Sequence, residues 1–172
     1  MKKLLIFDVS RLLEAEMGTS EVYSFVCPYN FEGIDLAAPL EGKVEIMRIE
    51  YGFNAKVLNF STEIKLNCEL CLKNYNYKIT FQDVEAQFYL KKPRDVKDTF
   101  DLYMVDTKNQ QIDISELIRQ EIILHFPAKS VCLDSCKGLC PVCGVDRNKK
   151  KCDCQAEIKP ENPFTKLKDL LK

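Results

Sequence analysis

Nine cysteines in a 172-residue chain are the residues whose types and spacing promise chemistry. Six of them fall between Cys132 and Cys154. The centre of that stretch is Cys140-Pro-Val-Cys143-Gly144, and eight residues then separate Cys143 from the close pair Cys152-Asp-Cys154. A Cys-x-x-Cys pair bends the backbone until both sulfurs face one point. Gly144, placed directly after it, supplies a left-handed turn that other residues resist. A second close pair then completes a four-thiolate set, the donor geometry that structural zinc prefers. Cys140, Cys143, Cys152 and Cys154 are therefore predicted to hold one zinc ion. A disulfide cluster and a redox switch are the competing readings of the same spacing.

A second pair, Cys68-Glu-Leu-Cys71, lies between two runs of β-forming residues, where a hairpin tip is expected. That is half of another zinc knuckle. A thioredoxin-like redox pair has the same spacing, but the βαβ setting and helix N-terminus that lower a thiol's pKa are not evident. Cys132 and Cys136 remain outside the first set. With Cys68 and Cys71 they would complete a second site and tie the β-rich part of the chain to the cysteine-rich end. Cys27 has no other cysteine near it in sequence and is read as neither ligand nor nucleophile.

Between the halves of the first set runs Asp146-Arg147-Asn148-Lys149-Lys150-Lys151. A metal bound there would hold Arg147, Lys149, Lys150 and Lys151 on one short loop. Such a cluster suits contacts to phosphate, which give affinity without reading sequence. The overall charge of −1 conceals an asymmetry. Residues 1–128 carry 15 Lys+Arg against 20 Asp+Glu, and residues 129–172 carry 10 against 6. An acidic body with a basic end points to an electrostatic role placed at that end. Enzymatic chemistry is not expected: four thiolates leave zinc no open position, and no phosphate loop or carboxylate cluster is visible. The one histidine, His125, is isolated.

The elements that must position these residues are mostly strands. Residues 2–7, 20–27, 44–51, 55–66 and 75–90 alternate or are rich in β-formers, with a further short strand over 102–105. A short helix is expected over 9–17, ended by Gly18. Gly52 reads as the first turn of an antiparallel meander. Tyr75, Tyr77 and Phe81 have the spacing of core residues in a strand rather than of a base-stacking platform. Asp113-Ile-Ser-Glu116 reads as a capping box that opens a helix to about Phe126, with Ile114, Leu117, Ile118, Ile122 and Phe126 on its apolar stripe. Asn162 and Pro163 read as the opening of a short C-terminal helix. The fold class is thus α+β: an antiparallel, partly closed sheet with one packed helix over about 113–126, then a zinc knuckle and a short helix. Residues 1–128 form the body and 129–172 the cysteine-rich appendix. No run of apolar residues is long enough to span a membrane. Asp8, Arg11 and Glu14 break the opening apolar run too early for an export signal, so a cytoplasmic protein is expected. In that reducing compartment cysteines favour metal over disulfides.

Three segments together resemble a known family, the large ribosomal RNA subunit accumulation proteins, or YceD family. They are Cys68-Glu-Leu-Cys71, then Asp113-Ile-Ser-Glu-Leu-Ile-Arg-Gln-Glu-Ile-Ile-Leu running on through the cysteines to Cys154, and the closing Asn162-Pro-Phe-Thr-Lys-Leu. The family's Asn-Leu-Asn after the Cys-Gly step stands here as Val145-Asp146-Arg147-Asn148. The resemblance implies a bacterial cytoplasmic factor needed for accumulation of the large-subunit, 23S-type ribosomal RNA. Its partners would be that RNA or a large-subunit ribosomal protein, with no membrane and no small-molecule substrate. The reading that follows is a non-enzymatic RNA binder acting through a basic zinc knuckle. The alternatives are an adaptor for a basic ribosomal protein and a redox-sensitive or metal-binding structural protein.

Overall fold

A computed structural model describes residues 5–28, 31–93 and 102–154. The C-terminal helix expected after Pro163 lies outside the described residues. The chain falls into two compact units: residues 1–66 with 75–128, and residues 67–74 with 129–172. The Cys68–Cys71 tip therefore belongs to the unit that holds the other cysteine-rich stretch.

The first unit is α+β and its main sheet is open. Strands β1 (Ile6–Asp8), β2 (Ser20–Cys27), β3 (Leu40–Ile49), β4 (Gly52–Asn67), β5 (Asn74–Phe81), β6 (Val84–Tyr89), β7 (Tyr103–Met104) and β8 (Gln111–Asp113) are joined by helices α1 (Ser10–Glu14) and α2 (Ser115–Leu124). The main sheet runs β2-β3-β4-β6-β7, and β5 also pairs with β4. β1 and β8 form a separate antiparallel pair. The expected meander holds for β2, β3 and β4. The chain then departs from it, because β6 returns to β4 as β5 does, and β7 joins β6 in parallel. The single strand expected over 75–90 is two: Asp83, with φ 58°, turns the backbone between β5 and β6.

β4 explains how one long strand feeds one core. Its alternation changes phase midway: Ala55 and Val57 are buried, then Phe60 and Ile64. Two buried positions three residues apart cannot share a face of a regular strand. The pairing with β3 slips at the same place, Val44 facing Val57 and Lys43 facing Asn59, so Leu58 is the extra residue of a bulge. The bulge returns Phe60 to the core side, where its ring stacks on Phe81 at 4.1 Å. Phe81 and Tyr77 pack with the core, as expected for strand residues.

Gly52 is not the turn itself but the first residue of β4, opposite Tyr89 of β6. A Cβ there would lie 1.8 Å from the Phe88 carbonyl oxygen. That atom is backbone and cannot swing aside. Gly52→Ala is therefore expected to lower stability by about 3 kcal/mol, read as a lower urea midpoint at unchanged slope. An unchanged midpoint would show that β4 and β6 separate freely.

α2 closes the core with Leu117, Ile118 and Ile122, helped by Ile114. Its cap differs from the capping box. Asp113 ends β8, where its carboxylate accepts the Ser115 N–H at 2.9 Å. Glu116 does not complete a box with Asp113 but engages Arg119 and Gln120 along its own helix. Strand pairing of Asp113 with Ile6 moves the helix start two residues on. His125 sits at the end of α2, its Nδ1 2.8 Å from the Glu121 carbonyl oxygen and its ring beside Phe81.

Candidate metal centre

The second unit is built from two knuckles that use the same backbone bonds. In the first, the Cys68 N–H donates to the Lys73 carbonyl and the Leu72 N–H returns to the Cys68 carbonyl, at 2.9 and 2.8 Å. In the second, the Cys140 N–H donates to Val145 and the Gly144 N–H returns to Cys140, both at 2.9 Å. The residue after each Cys-x-x-Cys pair is left-handed: Leu72 at φ 59° and Gly144 at φ 71°. Gly144 adopts this turn at little cost, whereas Leu72 pays for its Cβ. The Leu72 side chain is 68% exposed, so packing recovers little of that strain. Leu72→Gly is expected to raise stability by up to about 1 kcal/mol, seen as a higher melting temperature of the metal-loaded protein.

The knuckles lie close together. The Leu139 N–H reaches the Leu70 carbonyl at 2.8 Å, and the Arg147 N–H reaches the Gly138 carbonyl at 3.0 Å. A Cβ on Gly138 would sit 2.8 Å from the Leu70 oxygen, so only glycine lets these two segments approach. The Ser130 hydroxyl donates to the Asn67 carbonyl, and the Glu69 N–H donates to the Ser130 carbonyl, each at 2.8 Å. These bonds bring residues 129–136 against the hairpin tip.

As a result the sulfurs gather in two groups of four: Cys68, Cys71, Cys132 and Cys136, and Cys140, Cys143, Cys152 and Cys154. Within each group all sulfurs lie within 4.8 Å of one another. In the first, Cys68 and Cys136 stand 3.9 Å apart and Cys71 and Cys132 3.7 Å apart. Four sulfurs tetrahedrally placed about 2.3 Å from one zinc ion would be about 3.8 Å apart. A disulfide needs about 2.05 Å. None of the nine cysteines forms one. Both donor sets fit a tetrahedral thiophilic ion. Cys27 joins neither group and is buried in the core of the first unit.

Electrostatics within the groups are uneven. Burial opposes ionisation of Cys68, but the backbone N–H groups of Cys132, Cys71 and Leu70 outweigh it and bring the thiol down to about 6. The N–H groups of Cys143 and Val142 bring Cys140 down to about 6 as well. Burial and the neighbouring Cys71 sulfur push Cys132 up to about 12. A hydrogen bond with Cys143, and then burial, push Cys154 up to about 12. Each group thus holds one thiol that is lowered, Cys68 or Cys140, beside one that is raised, Cys132 or Cys154. A divalent ion reverses that balance and releases protons as it binds.

Arg147, Lys149, Lys150 and Lys151 are all exposed on the loop between Cys143 and Cys152. Lys149 Nζ stands 3.9 Å from Asp146 Oδ2, with the lysine side chain 77% exposed. Asp146 is held below the usual carboxylate range, first by the Asn148 N–H. Asn148 is the residue that spacing arguments passed over. Its side chain accepts the Lys137 N–H at 2.8 Å and donates to Cys136 Sγ at 3.4 Å. Only its position inside a ligand-flanked loop hinted at such a role.

No helix among the described residues is long and apolar enough to cross a membrane. No solved structure matches the chain. A curated relative, the chloroplastic large ribosomal RNA subunit accumulation protein YCED homolog 1 of Arabidopsis thaliana, is 44% identical over 50 residues. That stretch is 29% of this chain and 16% of the relative, so the match spans a small part of the relative's length. The family model described as large ribosomal RNA subunit accumulation protein YceD matches residues 57–171, which hold both cysteine groups, helix α2 and the basic loop. The chain therefore belongs to the YceD family.

Proposed function

We propose that this protein is a non-enzymatic factor in the accumulation of large-subunit ribosomal RNA, and that its second unit binds RNA once zinc has fixed its shape. The family's name supplies the biological outcome. The observation that carries the molecular reading is the exposed loop Arg147–Lys151, flanked on both sides by members of one cysteine group. Cations held on a metal-fixed loop meet phosphates with little ordering cost. The described residues of the second unit include no aromatic side chain for stacking, so contact through charge and shape is favoured over base reading. Zinc suits the role: it is redox-inert and tetrahedral, and it is closed by four thiolates, leaving no position for catalysis. A reducing cytoplasm would keep those thiols available.

The acidic balance of residues 1–128 favours a second reading, an adaptor that holds a basic ribosomal protein. Capture of partners from lysate with and without ribonuclease separates the two. RNA binding predicts that nuclease removes the captured partners. A ribosomal protein that survives nuclease treatment would move the adaptor reading to first place.

A further inference from the structure

We infer that Asn148 couples the two cysteine groups, so that metal bound by one raises the affinity of the other. This rests on the reading of both groups as metal sites and goes beyond it. Asn148 lies between Cys143 and Cys152 and is therefore part of the chain that the second group encloses. Its amide nevertheless donates to Cys136 Sγ, a member of the first group, at 3.4 Å. The same side chain accepts the Lys137 N–H at 2.8 Å, fixing the residue next to that ligand. It also donates to Asp146 Oδ1 at 2.8 Å, and that oxygen accepts the Asn148 N–H at 2.9 Å. Asn148 is thus oriented by its own loop and aimed at the other group's sulfur.

A hydrogen bond to a thiolate stabilises the negative charge that a metal ligand must carry, and such outer partners are typically worth 10–100-fold in metal affinity. The backbone carries a parallel link. The Arg147 N–H bonds to Gly138, and the neighbouring Leu139 N–H bonds to Leu70, inside the Cys68–Cys71 pair. Closing the second group fixes residues 144–151, and that ordering presents the Asn148 amide to Cys136. Metal in the first group fixes Cys136 and so favours the same loop shape. By linkage the gain is equal in both directions. Asn148 is a positioning residue: it touches the ligand sulfur, not the metal.

The test titrates the full-length, reduced protein with zinc(II) alone and counts bound ions by native mass spectrometry. When the mean load is one ion per chain, two independent sites of any affinities leave about half of the chains or more with a single ion. Tenfold coupling between similar sites lowers that share to about a quarter. The wild type is expected below half, and Asn148→Ala is expected to return to half or above. A cobalt(II) titration adds a readout that loss of shape alone does not move. With the amide donor removed, the charge-transfer band from sulfur to cobalt should shift to lower energy, because the Cys136 thiolate becomes a better electron donor. If Asn148→Ala cannot load two ions, Asn148→Asp carries the same test, since it keeps the acceptor for Lys137 and removes the donor. A wild type with half or more of its chains singly loaded overturns the inference when Asn148→Ala does not raise that share, as does a variant with unchanged distribution and unchanged band. Two ions taken up independently defeat the coupling alone; a protein that takes up no metal defeats the metal reading as well.

Discussion

Protein purified without chelator is expected to carry two zinc ions per chain, and their removal should unfold the second unit while leaving the first folded. The contrast between the units' interiors is the reason. The first unit buries Phe53, Phe88, Leu40, Ile46, Ile118 and Ile122 with almost no exposure. At roughly 1.5–3 kcal/mol per buried side chain, such a core supports folding without help. Among the described residues of the second unit, the buried side chains are those of Cys68, Cys71 and Cys140. No aliphatic or aromatic group is fully buried there. A domain of that kind depends on metal, and an apparent binding energy of about 10–16 kcal/mol per structural zinc exceeds what its few hydrogen bonds provide. Elemental analysis should therefore give two equivalents. After chelation, amide protection should vanish from residues 129–154 and the Cys68–Cys71 tip but persist in β3, β4 and α2. Cys71→Ser and Cys143→Ser should each reduce the metal count by one. A chelated protein whose second unit keeps its protection would show that the sulfurs gather without metal and that the unit is stable by other means.

Much of this arrangement could be read from the sequence because thiolate spacing is a local signal. Cys140-Pro-Val-Cys143-Gly144 makes its turn through bonds within five residues, so the string itself carries the geometry. The joining of Cys68 and Cys71 to Cys132 and Cys136 was legible only by elimination, since about 60 residues separate the pairs. β2 emerged with its observed bounds because Ser20–Cys27 is rich in β-forming residues. The bulge in β4 was not legible, since an extra residue at Leu58 has no compositional mark and is fixed by the partner strand. The pairing of β8 with β1 was missed for a related reason. Gln111–Asp113 is too short to show a period, and its partner lies near the other end of the body. Asn148 carries no signature as a sulfur donor, because that role depends on where Cys136 arrives in space.

Replacing Arg147, Lys149, Lys150 and Lys151 together by Ala should weaken RNA binding by orders of magnitude at low salt. The four side chains are exposed, so the change removes charge without disturbing a packed interior. Each phosphate contact on single-stranded RNA contributes about 0.7 to the slope of log affinity against log salt. Four lost contacts would flatten that slope by up to ~2.8, and fewer would follow if Asp146 already occupies Lys149. The loss should be nearly the same for unrelated RNA sequences, because phosphates carry no base identity. Metal content should stay at two ions, since no ligand is altered. Cys140→Ser with Cys143→Ser should weaken binding by another route, keeping the charge but releasing the loop from its fixed shape. The two variants therefore differ in one telling respect: the alanine variant loses salt dependence, whereas the serine variant loses affinity with more of the slope retained. Affinity and slope unchanged in the four-alanine protein would remove this loop as the RNA contact. The acidic body, with a basic ribosomal protein as its partner, would then become the surface on which the family's role in ribosomal RNA accumulation has to be explained.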